Sequence, residues 1–340
     1  MAVSSMSAWL YSSAANGLEK NLTLSATARA PPAPKKNQLL IQVLAASINP
    51  ADYKVPEMPL ITRLVLKTPA SPGMDFCGRI VAVGPDTDDD DGAGAAYTTG
   101  QLVFGCLGMP SQFGTLGEYI VAKTSQVALL PEGVDPNAAA TLGIAGQTAY
   151  QSVAPYVKQG DKVFINAGSG GCGMFAIQIA KALGCSVTTT CSTRNLELCR
   201  ELGADQVIDY TAENVIDVLA AQGMVYDHVV DHVSQPDGLY RESHRFLREG
   251  KTYVQVGADS VATFLRRSAR PSLLGGGRRK YVVFFFANTR DHLVQLGEWL
   301  AQGKVRVQID SVFPREEAVQ AFEKLRSHRA RGKIIVRMSE

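Results

Sequence analysis

The stretch that most narrows what this chain can become is residues 163–192, VFINAGSGGCGMFAIQIAKALGCSVTTTCS. It opens at 163–166 with a short apolar run, the pattern of a strand buried on both faces of a parallel sheet. Gly168, Gly170 and Gly173 follow in G-x-G-x-x-G spacing, with Ser169, Gly171 and Cys172 between them. Glycines at these places let the backbone turn sharply, approach a pyrophosphate closely and pack a helix tightly on the sheet. Ala176, Ile179, Ala180 and Leu183 then recur at i, i+3, i+4 and i+7, predicting a helix with one buried stripe. Its N-terminus offers unpaired N–H groups and the positive end of a dipole to phosphate. A second strand at 187–191 ends about 20 residues after the glycines. The glycine spacing alone is common in ordinary turns. With a strand before it and a helix and strand after it, it reads as a dinucleotide-binding unit.

The end of the second strand selects the dinucleotide. An acidic residue there binds the ribose 2′-hydroxyl of NAD, whereas a 2′-phosphate is repelled by a carboxylate and wants hydroxyls and a cation. This strand ends in Ser192, Thr193, Arg194 and Asn195, with no acid at the tip. Ser192 also suits a helix cap. Arg194 beside it favours NADPH.

Length and composition bound the rest. A chain of 340 residues suffices for two domains, and 46% apolar with 19% charged residues is a globular composition. A net charge of +2, with bases and acids interspersed, leaves no nucleic-acid footprint. Six cysteines without C-x-x-C pairs argue against a disulfide framework or a cysteine-rich zinc lobe. No secretory pattern and no apolar run of membrane-spanning length is visible, so the expected location is the cytoplasm.

Residues 1–128 read as short strands punctuated by Pro and Gly, with 39–46 the strongest and 79–83 another. The acidic run at 86–91 reads as a solvated hairpin loop, since it lacks the ordered ligand spacing of a calcium loop. From about 131 helix and strand alternate, which implies a parallel sheet. Strands at 206–210, 226–231, 252–256 and 281–286 bring the total to about six, the complement of a doubly wound dinucleotide fold. An amphipathic helix at 289–302 and a strand, helix and strand over 305–337 complete the chain.

Five segments carry a family resemblance: PGMDFCGRIVAVG at 72–84, GIAGQTAY at 143–150, NAGSGGCGMFAIQIAK at 166–181, LGADQVIDY at 202–210 and RARGKIIV at 329–336. Together they resemble the medium-chain dehydrogenase/reductase superfamily, in its zinc-independent quinone oxidoreductase and enoyl reductase branch, including fungal zinc-type alcohol dehydrogenase-like members. The resemblance implies an α/β architecture: a GroES-like β-domain plus a Rossmann doubly wound parallel sheet. The implied division is 1–128 for the N-terminal part of the catalytic domain, 129–288 for the NADPH-binding domain and 289–340 for a return to the catalytic domain.

Zinc members of that superfamily hold their metal with Cys, His and Cys at three motifs. Here the matching places read Asn49, Met74 and Ile144, of which the first two are poor zinc ligands and the third none. Without a Lewis acid, alcohol oxidation is hard. Reduction of a C=C bond conjugated to a carbonyl is easier, because hydride adds at the β-carbon and the charge spreads onto an enolate that hydrogen bonds stabilise. Tyr53, Asn49 and Lys54 are the candidates to orient the carbonyl or relay a proton. For Tyr53 the alternative is a half-buried ring with its hydroxyl on the backbone. For Asn49 the alternatives are a loop brace and a contact to the nicotinamide ribose.

The resemblance also implies that Thr148 approaches the nicotinamide and that Tyr210 flanks the adenine or its 2′-phosphate. It implies further that Val256 and Gly257 end a strand at the cofactor and that Lys333 reaches it. Helix capping, core packing and a solvated charge are the plainer readings of Thr148, Tyr210 and Lys333. Cys172 reads as a small filler or, at a helix N-terminus, a reactive thiol. His228 and His232 stand four residues apart but belong to a predicted strand and its exit rather than a helix, and with His244 they read as structural. The basic segment 266–280 is either a cap over an acidic substrate group or a solvated loop.

The expected activity is NADPH-dependent, metal-free reduction of α,β-unsaturated carbonyls on a small apolar or aromatic substrate, which for fungal relatives is implied to serve secondary metabolism. The alternatives are NADPH:quinone oxidoreduction and, in another class, a non-catalytic NADPH-binding protein. Neither nucleic acid nor membrane is an expected partner. A strand at 281–286 suits either a monomer or a homodimer paired at the sheet edge.

Overall fold

The computed structural model describes residues 4–58, 66–85, 87, 97–257, 263, 267 and 276–339. Most of the acidic run, the apolar segment 59–65 and most of the basic segment 266–280 lie outside the described residues. The chain forms two compact units. One is made of Met1–Gln147, Ala287–Gly303 and Val307–Glu340, the other of Thr148–Phe286 and Lys304–Arg306.

The first unit is built on a 7-stranded sheet. Its longest strand, Gln38–Ile48, alternates little because both faces are covered, and it pairs with Asp75–Val83, Tyr119–Lys123 and Lys333–Arg337, all antiparallel. The last of these is inserted between Gln38–Ile48 and Ile309–Pro314, so both ends of the sequence share one sheet. Residues 129–147 belong to this unit, although the sequence pattern assigns them to the next. The Ile144 N–H donates to Asp75 Oδ1 at 2.9 Å and Gln147 Nε2 to Asn288 Oδ1 at 2.8 Å, tying the segment to strands and loops of the first unit. A short helix, Pro50–Lys54, interrupts the otherwise β-rich N-terminal part. Asp52 Oδ2 accepts the Asn49 N–H while the Asp52 N–H donates to the Asn49 backbone carbonyl, and Pro50 stands where no helix N–H is needed.

The second unit holds a 6-stranded, wholly parallel sheet. Its spatial order is Gln206–Asp209, Ser186–Cys191, Lys162–Asn166, Tyr226–Asp231, Leu247–Gln255 and Lys280–Val283. Numbered along the chain this is 3-2-1-4-5-6, the doubly wound dinucleotide order, whose reversal point falls beside the first strand. Phe164, Tyr226 and Phe246 meet edge to face in its core, each worth about 1.5–3 kcal/mol of burial. The helix Gly173–Ala182 departs from the single stripe expected of it: every residue from Gly173 to Ala180 is buried. Its second side is covered by the 304–306 return, where Gln178 accepts from the Arg306 N–H at 2.8 Å and donates to the Arg306 carbonyl at 2.9 Å.

Candidate active site

In the first unit the candidate residues collect under the short helix. Asn49 is 3% exposed and its amide is spent inside the protein. Nδ2 donates to Asp75 Oδ2 at 2.8 Å and to the Ser47 carbonyl at 3.3 Å, while Oδ1 accepts from Lys333 Nζ at 2.5 Å. The Asn49 N–H goes to Asp52 Oδ2 at 2.6 Å. With both amide hydrogens used, Asn49 has no donor left for a substrate carbonyl or a ribose. The geometry makes it the brace of this loop. Lys333 is buried rather than solvated, and its Nζ lies on Asn49 and the Ile48 carbonyl.

Met74 and Ile144 occupy the other two places at which zinc relatives coordinate metal. Met74 is buried, and Ile144 contributes its N–H to Asp75. A Cβ on Gly143 would stand 2.2 Å from Asp75 Oδ1, so the backbone must be bare there for the carboxylate to reach that N–H. Burial pushes Asp75 up to about 6 against the pull of Lys333. Burial, then the Asp75 carboxylate, push Asp52 up to about 8. Tyr53 is fully packed, with the Arg326 guanidinium 4.2 Å from its ring centroid. Arg326 is held in turn by Glu57 and by Glu19 Oε2, the latter at 2.7 Å. Lys54, one residue on, is exposed.

In the second unit the glycine loop joins the end of Lys162–Asn166 to the N-terminus of Gly173–Ala182. A Cβ on Gly173 would meet the Ala167 carbonyl oxygen at 2.1 Å, and one on Gly168 would meet Thr189 Oγ1 at 2.2 Å. On Gly170 it would meet only that same carbonyl, at 3.5 Å. Two glycines therefore serve close packing and the third leaves room beside the loop, where a bound pyrophosphate would lie. Thr190 anchors the loop: its carbonyl accepts from Gly168 N–H at 2.9 Å and its Oγ1 from Ala167 N–H at 2.8 Å. Ala167 is thereby held at φ 72°, a left-handed conformation costly for a residue with a side chain.

Beyond the second strand, Asn195 Nδ2 donates to Ser169 Oγ at 3.1 Å and to Ser192 Oγ at 3.3 Å. Each serine thus accepts from Asn195 and retains its own hydroxyl hydrogen for another acceptor. Ser192 makes no side-chain cap for the turn that follows. Arg194 is exposed, and Tyr210 is 56% exposed rather than packed in the core. An acid does approach from the neighbouring strand. Asp209 pairs with Cys191 across the sheet, but its carboxylate accepts from Thr193 Oγ1 at 2.5 Å and from Thr211 N–H and Oγ1 at 2.9 and 2.6 Å. Those hydroxyls hold it below the usual carboxylate range. The donor set fits a dinucleotide: a bare loop at a helix N-terminus, two serine hydroxyls and an exposed cation.

Two family models match the chain, the alcohol dehydrogenase GroES-like domain over residues 35–132 and the zinc-binding dehydrogenase over 202–336. The chain is 43% identical to the trans-enoyl reductase pgmF of Aspergillus terreus, covering 99% of this chain and 97% of that one. It belongs to the medium-chain dehydrogenase/reductase superfamily. Within that superfamily of oxidoreductases it is also 31% identical to the chloroplastic NADPH-dependent alkenal/one oxidoreductase of Arabidopsis thaliana, over 97% of this chain and 79% of that one. Among solved structures, the quinone oxidoreductase from Coxiella burnetii matches with a TM-score of 0.83 at 31% identity, covering 98% of this chain and 99% of that one.

The remaining candidates of this superfamily member fall as follows. Thr148 is buried in the middle of the helix Ile144–Val153. Val256 N–H donates to the Asp231 carbonyl at 2.8 Å, and a Cβ on Gly257 would strike the His232 carbonyl oxygen at 2.0 Å. Cys172 is half-buried at the N-cap of Gly173–Ala182 and makes no side-chain cap bond. His228 is wholly buried between the Ser152 and Thr252 carbonyls, 2.7 and 3.2 Å from its ring nitrogens, and stacks on Tyr156. Burial drops it to about 4. His232 and His244 each place Nδ1 on a backbone carbonyl, of Asn166 and Arg241. Among the described residues no group of three or more His, Cys, Asp or Glu is placed to hold a metal, and no helix is long and apolar enough to cross a membrane.

Sequence reasoning missed a buried network at the strand ends. Asp231 accepts from Asn166 Nδ2 at 2.9 Å, from Tyr253 OH at 2.6 Å and from the Ser234 N–H at 2.8 Å, while Thr190 Oγ1 donates to Asn166 Oδ1 at 2.6 Å. The available signal was a polar residue closing each apolar core strand: Asn166, Asp231 and Gln255.

Proposed function

We propose that this chain is an NADPH-dependent, metal-independent reductase of the C=C bond of α,β-unsaturated carbonyls, acting on a small apolar or aromatic substrate. The observation that carries the reading is the Asn49 amide, held between Lys333 and Asp75 at a place where zinc members of the superfamily hold a metal ligand. An amide with both hydrogens and its oxygen engaged is a poor metal ligand. The similarity to a trans-enoyl reductase and to an alkenal/one oxidoreductase supports the same class.

When bound, the reduced nicotinamide supplies hydride. The residues of this chain do the rest. The loop 168–173 and the N-terminus of Gly173–Ala182 receive the pyrophosphate. Ser192 and Arg194 receive the 2′-phosphate, with Asn195 orienting Ser192 and Ser169, and with Tyr210 beside the adenine end. Asp209, on the adjoining strand, stays ionised with its oxygens engaged by Thr193 and Thr211, so Arg194 has its charge as well as the phosphate's to offset. Thr148, Val256 and Gly257 are assigned to the nicotinamide half. Charge developing on the substrate oxygen is met by hydrogen-bond donors of the Pro50–Lys54 helix, Tyr53 and Lys54, which Asn49 braces.

The deciding experiment follows NADPH oxidation against a panel of enals, enones and quinones, with product analysis, with NADH as comparison and with and without a zinc chelator. Saturated carbonyl products, preference for NADPH and indifference to chelation are expected. Quinone reduction is the second reading, favoured by the 31% identity to a quinone oxidoreductase of the same fold. Tight NADPH binding with no turnover on any panel member would instead indicate a binding protein.

A further inference from the structure

The cluster beneath the short helix holds more acid than base. Asp52 and Asp75, 1% and 0% exposed, share one buried cation among the described residues, Lys333, itself 4% exposed. If both acids were ionised, the cluster would carry a net negative charge away from water, which is costly without a partner. One proton removes that charge, and the hydrogen bonds say where it sits. Asp75 accepts an N–H on each oxygen, from Asn49 Nδ2 and from Ile144, which is the pattern of a carboxylate. Asp52 accepts the Asn49 N–H on Oδ2, while its buried Oδ1 has no hydrogen-bond partner. Tyr11, wholly buried and electrostatically coupled to Asp52, also has a hydroxyl without a partner.

We infer that Asp52 is a neutral carboxylic acid in the working protein, with its proton on Oδ1, and that it is a positioning residue holding the Asn49 clamp and hence the helix that carries Tyr53 and Lys54. The inference rests on the reductase reading only in its kinetic consequence. The proton keeps the relay Lys333 to Asn49 to Asp75 balanced, one cation against one anion across a polarised amide. Losing it places a second buried negative charge beside Asp75, with Lys333 left to balance both acids. The groups facing Asp52 are Asp75 and Cys106 from two strands of the sheet, Lys333 from a third, and Tyr11 from the N-terminal segment. Ionisation is favoured by the Asn49 N–H and, after it, by Lys333, which is already engaged by Asn49; both are outweighed by burial and Asp75. The direction in which burial and Asp75 move Asp52 agrees with this charge count.

Isotope-edited infrared spectroscopy of aspartate-labelled protein tests it without any ligand. A carbonyl band of a protonated carboxylic acid is expected at neutral pH, is expected to vanish in Asp52→Asn, and is expected to fade in the wild type as pH rises past about 8. Asp75→Asn should abolish the band too, because Lys333 then balances Asp52 alone. In kinetics, wild-type kcat/KM should fall about tenfold for each pH unit above that loss. Asp52→Asn, permanently neutral, should stay within about threefold of wild type at neutral pH and show no such alkaline limb. Absence of the wild-type band at neutral pH, its survival in Asp52→Asn, or an unchanged alkaline limb in that variant would overturn the inference. If no enone or quinone is turned over, the reductase reading fails while the infrared result still decides the state of Asp52.

Discussion

The glycines of the 168–173 loop allow packing and ligand contact to be separated by single methyl groups. Gly173→Ala places a Cβ 2.1 Å from the Ala167 carbonyl oxygen and 2.8 Å from Gly168 Cα, both backbone atoms that cannot swing aside. The loop or the helix must move, at about 1–3 kcal/mol, the cost of overpacking a filled site. In thermal unfolding this is a fall of several degrees in Tm, and displacement of the loop should weaken NADPH binding as well. Gly170→Ala is the contrast. Its Cβ meets only the Ala167 oxygen, at 3.5 Å, an ordinary contact, and Gly170 is not among the glycines with positive φ. Stability should change by less than about 0.5 kcal/mol. If the open side of Gly170 is where the pyrophosphate lies, the added methyl occupies its space, and affinity should drop at least about tenfold, or about 1.4 kcal/mol. Thermal unfolding without ligand and titration of NADPH fluorescence measure the two effects separately. Wild-type NADPH affinity in Gly170→Ala, with its stability intact, would refute the assignment of this loop to the pyrophosphate.

Two further outcomes follow from buried charges. His228 ionises well below the 6.5 of a solvated imidazole, so the unfolded chain binds more protons between pH 6.5 and about 4. Stability is complete above that window and is lost as pH falls through it, by up to roughly 3 kcal/mol; the Tm of His228→Gln should therefore decline less steeply over this range, and parallel curves would remove the residue from the acid response. Arg326→Met strands the buried Glu19 carboxylate and the partly buried Glu57 and takes the cation from the Tyr53 ring. Because Arg326 is about one-third exposed, the cost is set at about 1–3 kcal/mol in urea unfolding rather than that of a fully buried pair; no loss would mean that solvent already screens the cluster.

What the sequence reveals here is what lies close along the chain. The strand, glycine turn and helix of 163–182, the parallel strands after it and the missing zinc ligands are all patterns of neighbouring residues or of short motifs. The cluster of Asn49, Asp52, Asp75 and Lys333 is not such a pattern, because the cation and the acids come from opposite ends of the chain and meet only through the pairing of Gln38–Ile48 with Lys333–Arg337. Lys333 thus reads as a solvated or cofactor-seeking charge in the sequence and is a buried partner in the fold. Asn49 likewise reads as a donor until its hydrogens are counted. Asp209 is not visible as an acid near the cofactor end of Ser186–Cys191 in the sequence, because it sits on the adjoining strand and comes beside Cys191 only through parallel pairing. The segment 129–147 reads with the second unit because its helical pattern starts there, whereas its hydrogen bonds to Asp75 and Asn288 place it with the first.

The insertion of Lys333–Arg337 beside Gln38–Ile48 has a consequence for how the protein is made. As the polypeptide leaves the ribosome, the edge of residues 45–48 that faces away from Asp75–Val83 waits for its partner strand until everything between has been synthesised, including the whole of the second unit. During that interval an apolar edge with unpaired N–H and C=O groups stands open to any other extended chain. The acids at Asp52 and Asp75 likewise wait without Lys333. A nascent or prematurely terminated product should therefore depend on chaperones for its first unit while its second unit is already complete.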